Sequence, residues 1–538
     1  MNRLLPTRRL IPRWRKSRFS VYQRDLVGMV RPVNAKLSIQ SADAEVEKAL
    51  ASWKASGSIG DLADALSFGV DATQHDALIP AARVALKLPD ATPAMQLVAR
   101  EIINAGSSTD AVWKNSPSAT DVHALRALLR HTPNDVIALV DLAQHHLAQG
   151  KRKAAHRALL AAHQVSPESV HVIRALIRFW MHVGEEDRAH AFIRRIPKAS
   201  VDPWLMASEI ATAQAAGAPS VQLRKAQRAL NSKVFNPRDV SELAGAIGGA
   251  ELWNGKFKEA RKLFRLALEH PNDNVLAQAI TNQEFLGIEV DEALLRRAPN
   301  GVFEGRALRA LMQTDFEAAS ELMECWSEEE PFSSRPRTLQ SFVCGALGTF
   351  EKALGAADKG LTADASDLSL RGNRAYALAA LGRLDEAESE LSVINAQADD
   401  NQRPFSLATK GMVEVLRGNA DVGRRLYEEA LDKFHRKKQD AQHTDCLAFM
   451  ARTFKKAGLD DADAVAARAA ERFAAHPSHA AAVILKELQQ PVKEVVAEPL
   501  RKVVQWEWDP SSNTLTERRE LTRKGASGFV VAEKPKEK

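Results

Sequence analysis

Apolar residues recur at intervals of three and four in short runs, and each run ends at a glycine, a proline or a polar cluster. The clearest example lies between Pro133 and Pro167. One run there ends at Leu147, a second extends from Ala154 to Val165, and Gly150 separates them. Such spacing is typical of amphipathic helices, and such breaks are typical of helix ends. The pattern predicts two short helices joined by a tight turn.

This helix pair repeats with a fixed period. Pro133 and Pro167 are 34 residues apart, and the same interval separates Gly150 from Gly184. A fixed period of this length is the sequence signature of a solenoid, in which each repeat packs only against its neighbours. We therefore expect an all-α solenoid, whose core extends along the chain and needs no division into compact globular domains.

Further copies of the glycine-to-alanine motif follow along the chain. The clearer ones begin at Gly255, Gly348 and Gly382, and the looser ones at Gly418 and Gly458. Several copies in phase are strong evidence for a repeat, whereas one copy is weak evidence. Together the copies cover most of residues 134–480.

Residues 134–203 resemble the tetratricopeptide repeat (TPR) family. In the first copy the large and small positions of the family motif and its final proline fall on Leu139, Leu142, Ala143, His146, Ala155, Leu159, Ala162 and Pro167. In the second copy Ile177 and Ile196 stand where the family has small residues. The resemblance implies a right-handed superhelix of helix–turn–helix repeats. It also implies a non-enzymatic scaffold or adaptor that binds a peptide or protein in its concave groove.

The chain divides into six segments on this basis. They are a basic, disordered arm (1–40), a helical region of degenerate repeats or an N-terminal cap (41–133), two clear repeats (134–203), a divergent helix pair or hinge (204–240), further repeats (241–480) and a tail with short strands (481–538).

Basic character is concentrated at the start of the chain. Residues 1–36 contain ten Lys or Arg and one acid, Asp25, so they contribute +9 to a formal net charge of +6. The remaining residues are therefore close to neutral. The basic side chains interleave with aromatic rings, a mixture that can contact nucleic-acid phosphates or an anionic membrane. The candidate residues are Arg8, Arg9, Arg13, Trp14, Arg15, Lys16 and Arg18.

Two other interpretations of the arm stay open. It is either a solvated tail or a segment that packs on the end of the solenoid. An Arg-rich, acid-poor start also fits a mitochondrial transit peptide, although Pro6 and Pro12 would interrupt its helix. Three scattered cysteines suit a reducing compartment, so we expect the protein in the cytoplasm, with the mitochondrial matrix as the alternative.

The sequence predicts neither catalysis nor a cofactor. It has no glycine-rich phosphate loop and no nucleophile elbow. Seven histidines lie within residues 145–190, but no pair has the spacing of a helical zinc motif, and no cysteine is near. We therefore expect no metal site and no enzymatic activity.

One helix face of the second repeat is the candidate partner-binding surface. The resemblance implies that groove residues come chiefly from the first helix of each repeat. On that helix His171, Arg174, Arg178 and His182 follow at intervals of three and four, so they share a stripe. A basic stripe favours an acidic peptide or a carboxylate terminus.

The tail has strand character. Residues 504–509 alternate apolar and polar positions, and Phe529–Val531 form a second strand candidate. Two short strands are marginal in water, so the tail either folds back on the solenoid or pairs with a partner. Trp506 and Trp508 would be its anchors.

Overall fold

A computed structural model describes most of the chain from residue 136 onward. The described residues are 10–14, short stretches between 47 and 134, residues 136–488 with gaps at 233–234, 236, 298–301 and 398–401, and three strands beyond residue 501.

The described helices are numbered in chain order. They are α1 (Ile79–Ala85), α2 (Val122–His131), α3 (Val136–Ala148), α4 (Arg152–Val165), α5 (Val170–His182), α6 (Glu186–Ile193), α7 (Pro203–Ala215), α8 (Leu223–Asn231), α9 (Pro237–Trp253), α10 (Phe257–Ala267), α11 (Asp273–Thr281), α12 (Gln283–Leu286), α13 (Glu292–Arg297), α14 (Phe303–Met312), α15 (Phe316–Glu329), α16 (Ser334–Ala346), α17 (Phe350–Ala363), α18 (Leu368–Ala380), α19 (Leu384–Gln397), α20 (Arg403–Leu416), α21 (Ala420–Arg436), α22 (Asp440–Lys456), α23 (Ala462–Ala475) and α24 (His479–Glu487).

Consecutive helices pack in pairs, as the 34-residue period predicts. Helix α3 packs on α4, α16 on α17, α18 on α19 and α20 on α21, and each pair contacts the next along the chain. The prediction of an all-α solenoid of TPR-like helix pairs is confirmed. Among the described helices, none combines the length and the hydropathy needed to span a membrane.

The turn glycines end the first helix of a pair. Gly150 has a positive φ of 69°, which only glycine adopts at little cost. Its N–H donates to the Leu147 carbonyl at 2.8 Å, and the Lys151 N–H donates to the His146 carbonyl at 2.8 Å. These two bonds form a Schellman motif, which satisfies carbonyls at the end of α3 and turns the chain into α4.

The small positions of the repeat lie at helix–helix contacts. Ala143, Ala155 and Ala162 are fully buried, and Leu159 fills the space between them. Ile177, at a small position of the next repeat, is also fully buried. A larger side chain is therefore accommodated there within the same helix arrangement.

Repeats far apart in sequence meet across the solenoid. Helix α3 contacts α17, and the Arg152 guanidinium lies 3.5 Å from the Asp364 carboxylate. The turn at Gly150 is equally close, because a Cβ at that position would lie 3.0 Å from the Thr362 carbonyl oxygen. The fold therefore brings the first clear repeats beside residues 350–364.

The tail forms a three-stranded antiparallel sheet in the order β1 (Lys502–Asp509), β2 (Thr514–Lys524), β3 (Gly528–Val531). The sequence predicted the first and third strands but not β2. Six of the eleven residues of β2 are Lys, Arg or Glu, so its apolar alternation is weak. Trp506 and Trp508 lie in β1 opposite Glu517 and Leu515, and the register shifts between Gln505 and Trp506.

Candidate peptide-binding groove

Residues 10–14 lie in a groove lined by residues of α3, α9, α11 and α14. They have no helix or strand structure, and Leu10 and Trp14 are each only 1% exposed. Two side-chain amides hold their main chain: Asn274 Nδ2 donates to the Ile11 carbonyl at 2.9 Å, and Gln144 Nε2 donates to the Trp14 carbonyl at 2.9 Å. Pro12 restricts Ile11 to extended conformations. The groove therefore holds a non-helical stretch of chain by its backbone.

Arg13 enters a pocket of carboxylates. Its Nη1 lies 3.0 Å from Glu330 Oε1, and its Nη2 contacts Glu304 and lies 3.6 Å from Asp273 Oδ2. The Arg13 side chain is 11% exposed, and the three carboxylates are almost completely buried. A buried charge is costly unless it is paired, so the guanidinium and the carboxylates stabilise one another in this pocket.

A second arginine shares the pocket. Arg335 Nη1 donates to Glu304 Oε1 at 2.6 Å, and its guanidinium lies 5.4 Å from the centre of the Trp326 ring. Burial, together with the charge of Arg13, lowers the pKa of Arg335 to about 10. With formal charges, the three carboxylates and two guanidiniums sum to −1. Without Arg13 the same pocket would carry −2.

Trp14 fills an aromatic pocket next to the carboxylates. The Trp14 and Phe332 ring centres are 5.0 Å apart at an interplanar angle of 35°. The other neighbours of the Phe332 ring come from α5: the His182 ring stands edge-on at 5.4 Å, and the Arg178 guanidinium lies 5.1 Å from the ring centre. Phe332 is therefore shared between the N-terminal segment and α5.

The predicted basic stripe forms part of this wall. Its four residues lie on α5, as the spacing requires, but Arg174 is paired with an acid and His182 is uncharged. Arg174 pairs with the buried Glu242 at 2.6 Å, and burial, with the charge of Arg178, lowers the pKa of His182 to about 4. His182 is therefore neutral at neutral pH. Arg178 is 9% exposed, and His171, two turns earlier, is partly exposed. Capture of an acidic partner by this stripe stays a prediction.

Two of the predicted arm residues are in the described segment. Arg13 and Trp14 contact the protein's own groove, away from solvent. The expectation of a disordered arm is therefore wrong for residues 10–14, because paired charge and apolar burial hold them in place. Arg8, Arg9, Arg15, Lys16 and Arg18 lie outside the described residues.

Most groove contacts could not be predicted from the sequence. Gln144, Asn274, Glu304 and Phe332 meet residues 10–14 across separations of more than a hundred positions. The one sequence clue is that Asp273 and Glu304 both lie in the first turn of helices on the groove side. An acidic residue in the first turn is common for helix-dipole reasons, so this clue is weak.

A second part of the concave surface is open. A cavity of about 300 Å³ lies between α16, α18, α20 and α22, and its walls include Phe342, Tyr376, Phe405 and Phe449. Among the described residues that line it, Asp445 is the one Asp, Glu, Lys or Arg. Burial raises the pKa of Asp445 to about 7, although the Ser478 hydroxyl and the Ala481 N–H donate to its carboxylate.

Within the described part of the chain, no three His, Cys, Asp or Glu side chains are arranged to hold a metal ion. The clustered histidines have other contacts. The His156 ring stacks on Phe179 at 5.2 Å, and His190 Nε2 lies 3.1 Å from Glu209 Oε1. These rings pack between helices.

The chain is similar to two solved helical structures at low identity. The crystal structure of yeast Tom70 shares 13% identity over 84% of this chain and 99% of that chain, with a TM-score of 0.26. The structure of Naa15/Naa10 bound to HypK-THB shares 12% identity over 81% and 84%, with a TM-score of 0.24. Both TM-scores are low, so we take neither partner nor activity from them. No protein-family model and no curated protein matches the chain.

Proposed function

We propose that this protein is a non-enzymatic scaffold that binds a non-helical peptide segment of a partner protein on its concave surface. One observation carries the proposal: the groove already holds residues 10–14, through two main-chain carbonyls and the side chains of Leu10, Arg13 and Trp14. A surface with this combination of contacts is suited to bind peptide.

The two kinds of contact have different effects. Amide donors from Asn274 and Gln144 recognise backbone carbonyls, which every peptide has. The carboxylate and aromatic pockets select particular side chains. Peptide-binding grooves generally combine a backbone-directed hold with side-chain pockets in this way.

The open cavity among α16, α18, α20 and α22 is a second candidate surface for the partner. Its walls are mostly polar and aromatic, with Asp445 the one Asp, Glu, Lys or Arg among the residues that line it, so they suit a largely neutral stretch of peptide. Phe405 is 51% exposed at its side. Exposed large apolar side chains beside a concave surface are typical of interaction sites. We place the partner's contact with this half of the solenoid at Phe405.

The test is affinity purification of the full chain, with Phe405→Glu and Val422→Glu as matched variants. Val422 is also exposed, at 39%, but does not line the cavity. We expect Phe405→Glu to lose captured proteins that the unmodified chain and Val422→Glu both retain. Identical capture by all three chains would reject partner binding in this cavity. Thermal melting of each chain separates loss of binding from loss of folding, because the Phe405 ring also packs 4.9 Å from Phe434.

A further inference from the structure

We infer that the groove around Phe332 and the carboxylates of Asp273, Glu304 and Glu330 recognises an Arg–aromatic pair in a basic peptide of a partner protein. Residues 10–14 are then a resident segment with which that partner competes. This inference rests on the proposed function, and it names the chemistry of the ligand for the first half of the groove.

The pocket is suited to arginine in particular. Nη1 of Arg13 faces Glu330 while Nη2 faces Glu304 and Asp273, so the two ends of the guanidinium contact different carboxylates. A planar fork with several donors can make such contacts at once. A lysine ammonium is a single point charge and would face one side of the pocket at a time.

The aromatic pocket recognises a ring by its shape. Trp14 packs on Phe332, and its indole Nε1 has no hydrogen-bond acceptor among the described residues. A phenylalanine ring would therefore lose packing area but no hydrogen bond. This predicts a ligand with arginine followed directly by an aromatic residue.

An apolar residue three positions before the arginine completes the pattern. Leu10 packs in the core cluster of α7, α9 and α11, next to Gly245. A Cβ at position 245 would lie 3.8 Å from Leu10 Cδ1 and 2.9 Å from Val275 Cγ2. The missing side chain at Gly245 therefore leaves room where α9 approaches both α11 and the segment.

A partner must displace the resident segment to use the site. Residues 10–14 belong to the same chain as the groove, so they have a high effective concentration there. In the described part of the arm, the held stretch is residues 10–14, which pair with no strand and belong to no helix pair. Weakening that hold in the full chain should open the site to an added peptide.

The experiment measures fluorescence anisotropy of a labelled peptide with the sequence of residues 7–18. It is titrated with the unmodified full chain and with the full chain carrying Arg13→Glu and Trp14→Ala. We expect the double variant to bind at least about tenfold more tightly, because its own segment no longer competes. A peptide with Trp14→Phe should bind within about threefold of the original, whereas Arg13→Glu and a scrambled peptide of equal charge should lose at least about tenfold.

Matched groove variants locate the binding. In the double-variant background, Glu304→Gln should weaken peptide binding by about tenfold or more, because it removes a buried carboxylate from the pocket. Glu351→Gln changes an exposed carboxylate of α17 and should have no effect. Far-UV circular dichroism melting checks that each chain is folded.

Either of two results with the double variant would overturn the inference. One is a folded double variant that does not bind the peptide, which would mean that residues 10–14 serve internal packing alone. The other is equal binding of the scrambled peptide, which would mean non-specific attraction. If the double variant does not fold, Arg13→Lys in the full chain weakens the hold on residues 10–14 more mildly. If this single variant binds the peptide no better than the unmodified chain, the inference is rejected. If partner proteins are still captured through Phe405 but the labelled peptide does not bind, this inference is rejected and the proposed scaffold role stands.

Discussion

The side-chain amide of Asn274 donates a hydrogen bond to the main-chain carbonyl of Ile11, 263 positions earlier in the chain, at 2.9 Å. Gln144 makes the same kind of bond to Trp14, 130 positions away. Both amides come from helices of the solenoid, α11 and α3, and both point at backbone. Together they show that the groove binds a segment of chain that belongs to no helix pair.

The docked segment should contribute less to global stability than a core side chain of the same type. Trp14 and Trp326 are both 1% exposed, but Trp326 lies within α15 and Trp14 lies in the short segment. We expect Trp326→Ala to lower the free energy of unfolding by about 3–5 kcal/mol. Trp14→Ala should lower the free energy of unfolding by only about 1–2 kcal/mol, because residues 10–14 can leave the groove while the helix pairs stay packed.

Urea unfolding of the two variants, followed by circular dichroism, gives the comparison. Equal losses from Trp14→Ala and Trp326→Ala would show that residues 10–14 are part of the cooperative core. That result would argue against an exchangeable segment.

The close contact between α20 and α21 gives a stability prediction. A Cβ at Gly423 would lie 2.6 Å from the Gly411 carbonyl oxygen, and it would also contact Val415 Cγ2. Gly423→Ala should therefore destabilise the chain by about 1–3 kcal/mol through overpacking. Gly355 in α17 is the matched control, because a Cβ at that position would have no neighbour within 4 Å. Gly355→Ala should stabilise by about 0.5–1 kcal/mol.

Thermal melting of both glycine variants tests the helix spacing. The expected outcome is a lower melting temperature for Gly423→Ala and an unchanged or higher one for Gly355→Ala. A tolerated alanine at Gly423 would mean that α20 and α21 lie further apart than the structure shows.

Asp445 should make stability depend on pH. Its folded-state pKa of about 7 is above the ordinary value of 3.8, so the folded chain retains a proton that the unfolded chain loses. The free energy of unfolding should therefore fall as pH rises from about 4 to about 7. Asp445→Asn cannot ionise, and its amide oxygen can still accept from Ser478 and Ala481.

The comparison is between the two chains at pH 5 and pH 8. We expect the free energy of unfolding of Asp445→Asn, taken relative to that of the unmodified chain, to be about 1–3 kcal/mol higher at pH 8 than at pH 5. A stability difference that is the same at both would show that Asp445 is ionised in the folded chain throughout. In that case the carboxylate is better solvated than its burial indicates.

The repeat itself could be predicted from sequence because its signals are local. Gly150 ends one helix and Ala155 begins the packed face of the next within a few residues, so the period is visible without knowledge of the fold. The groove depends on long-range contacts instead. Arg13 meets Glu304 and Glu330 only after the solenoid has brought three regions together, and no local pattern encodes that meeting.

The charge state of the groove residues could not be predicted from local sequence patterns either. The sequence alone predicts that His182 and Arg174 belong to a basic stripe that is available to an acidic partner. The fold partly buries His182, which keeps it neutral, and pairs Arg174 with Glu242, so the basic stripe is largely neutralised. Both residues lie in α5, but their charge state depends on neighbours from other repeats.

Photo-crosslinking from position 14 tests the central claim most directly. The full chain is prepared with a benzophenone-bearing amino acid in place of Trp14, irradiated at low concentration, digested and mapped by mass spectrometry. The structure places Trp14 against Phe332 and Gln144, so cross-links should fall within the same molecule, in peptides that contain residues 139–147, 176–182 or 329–335. Cross-links confined to other regions, or found only between molecules, would contradict a groove that holds this segment.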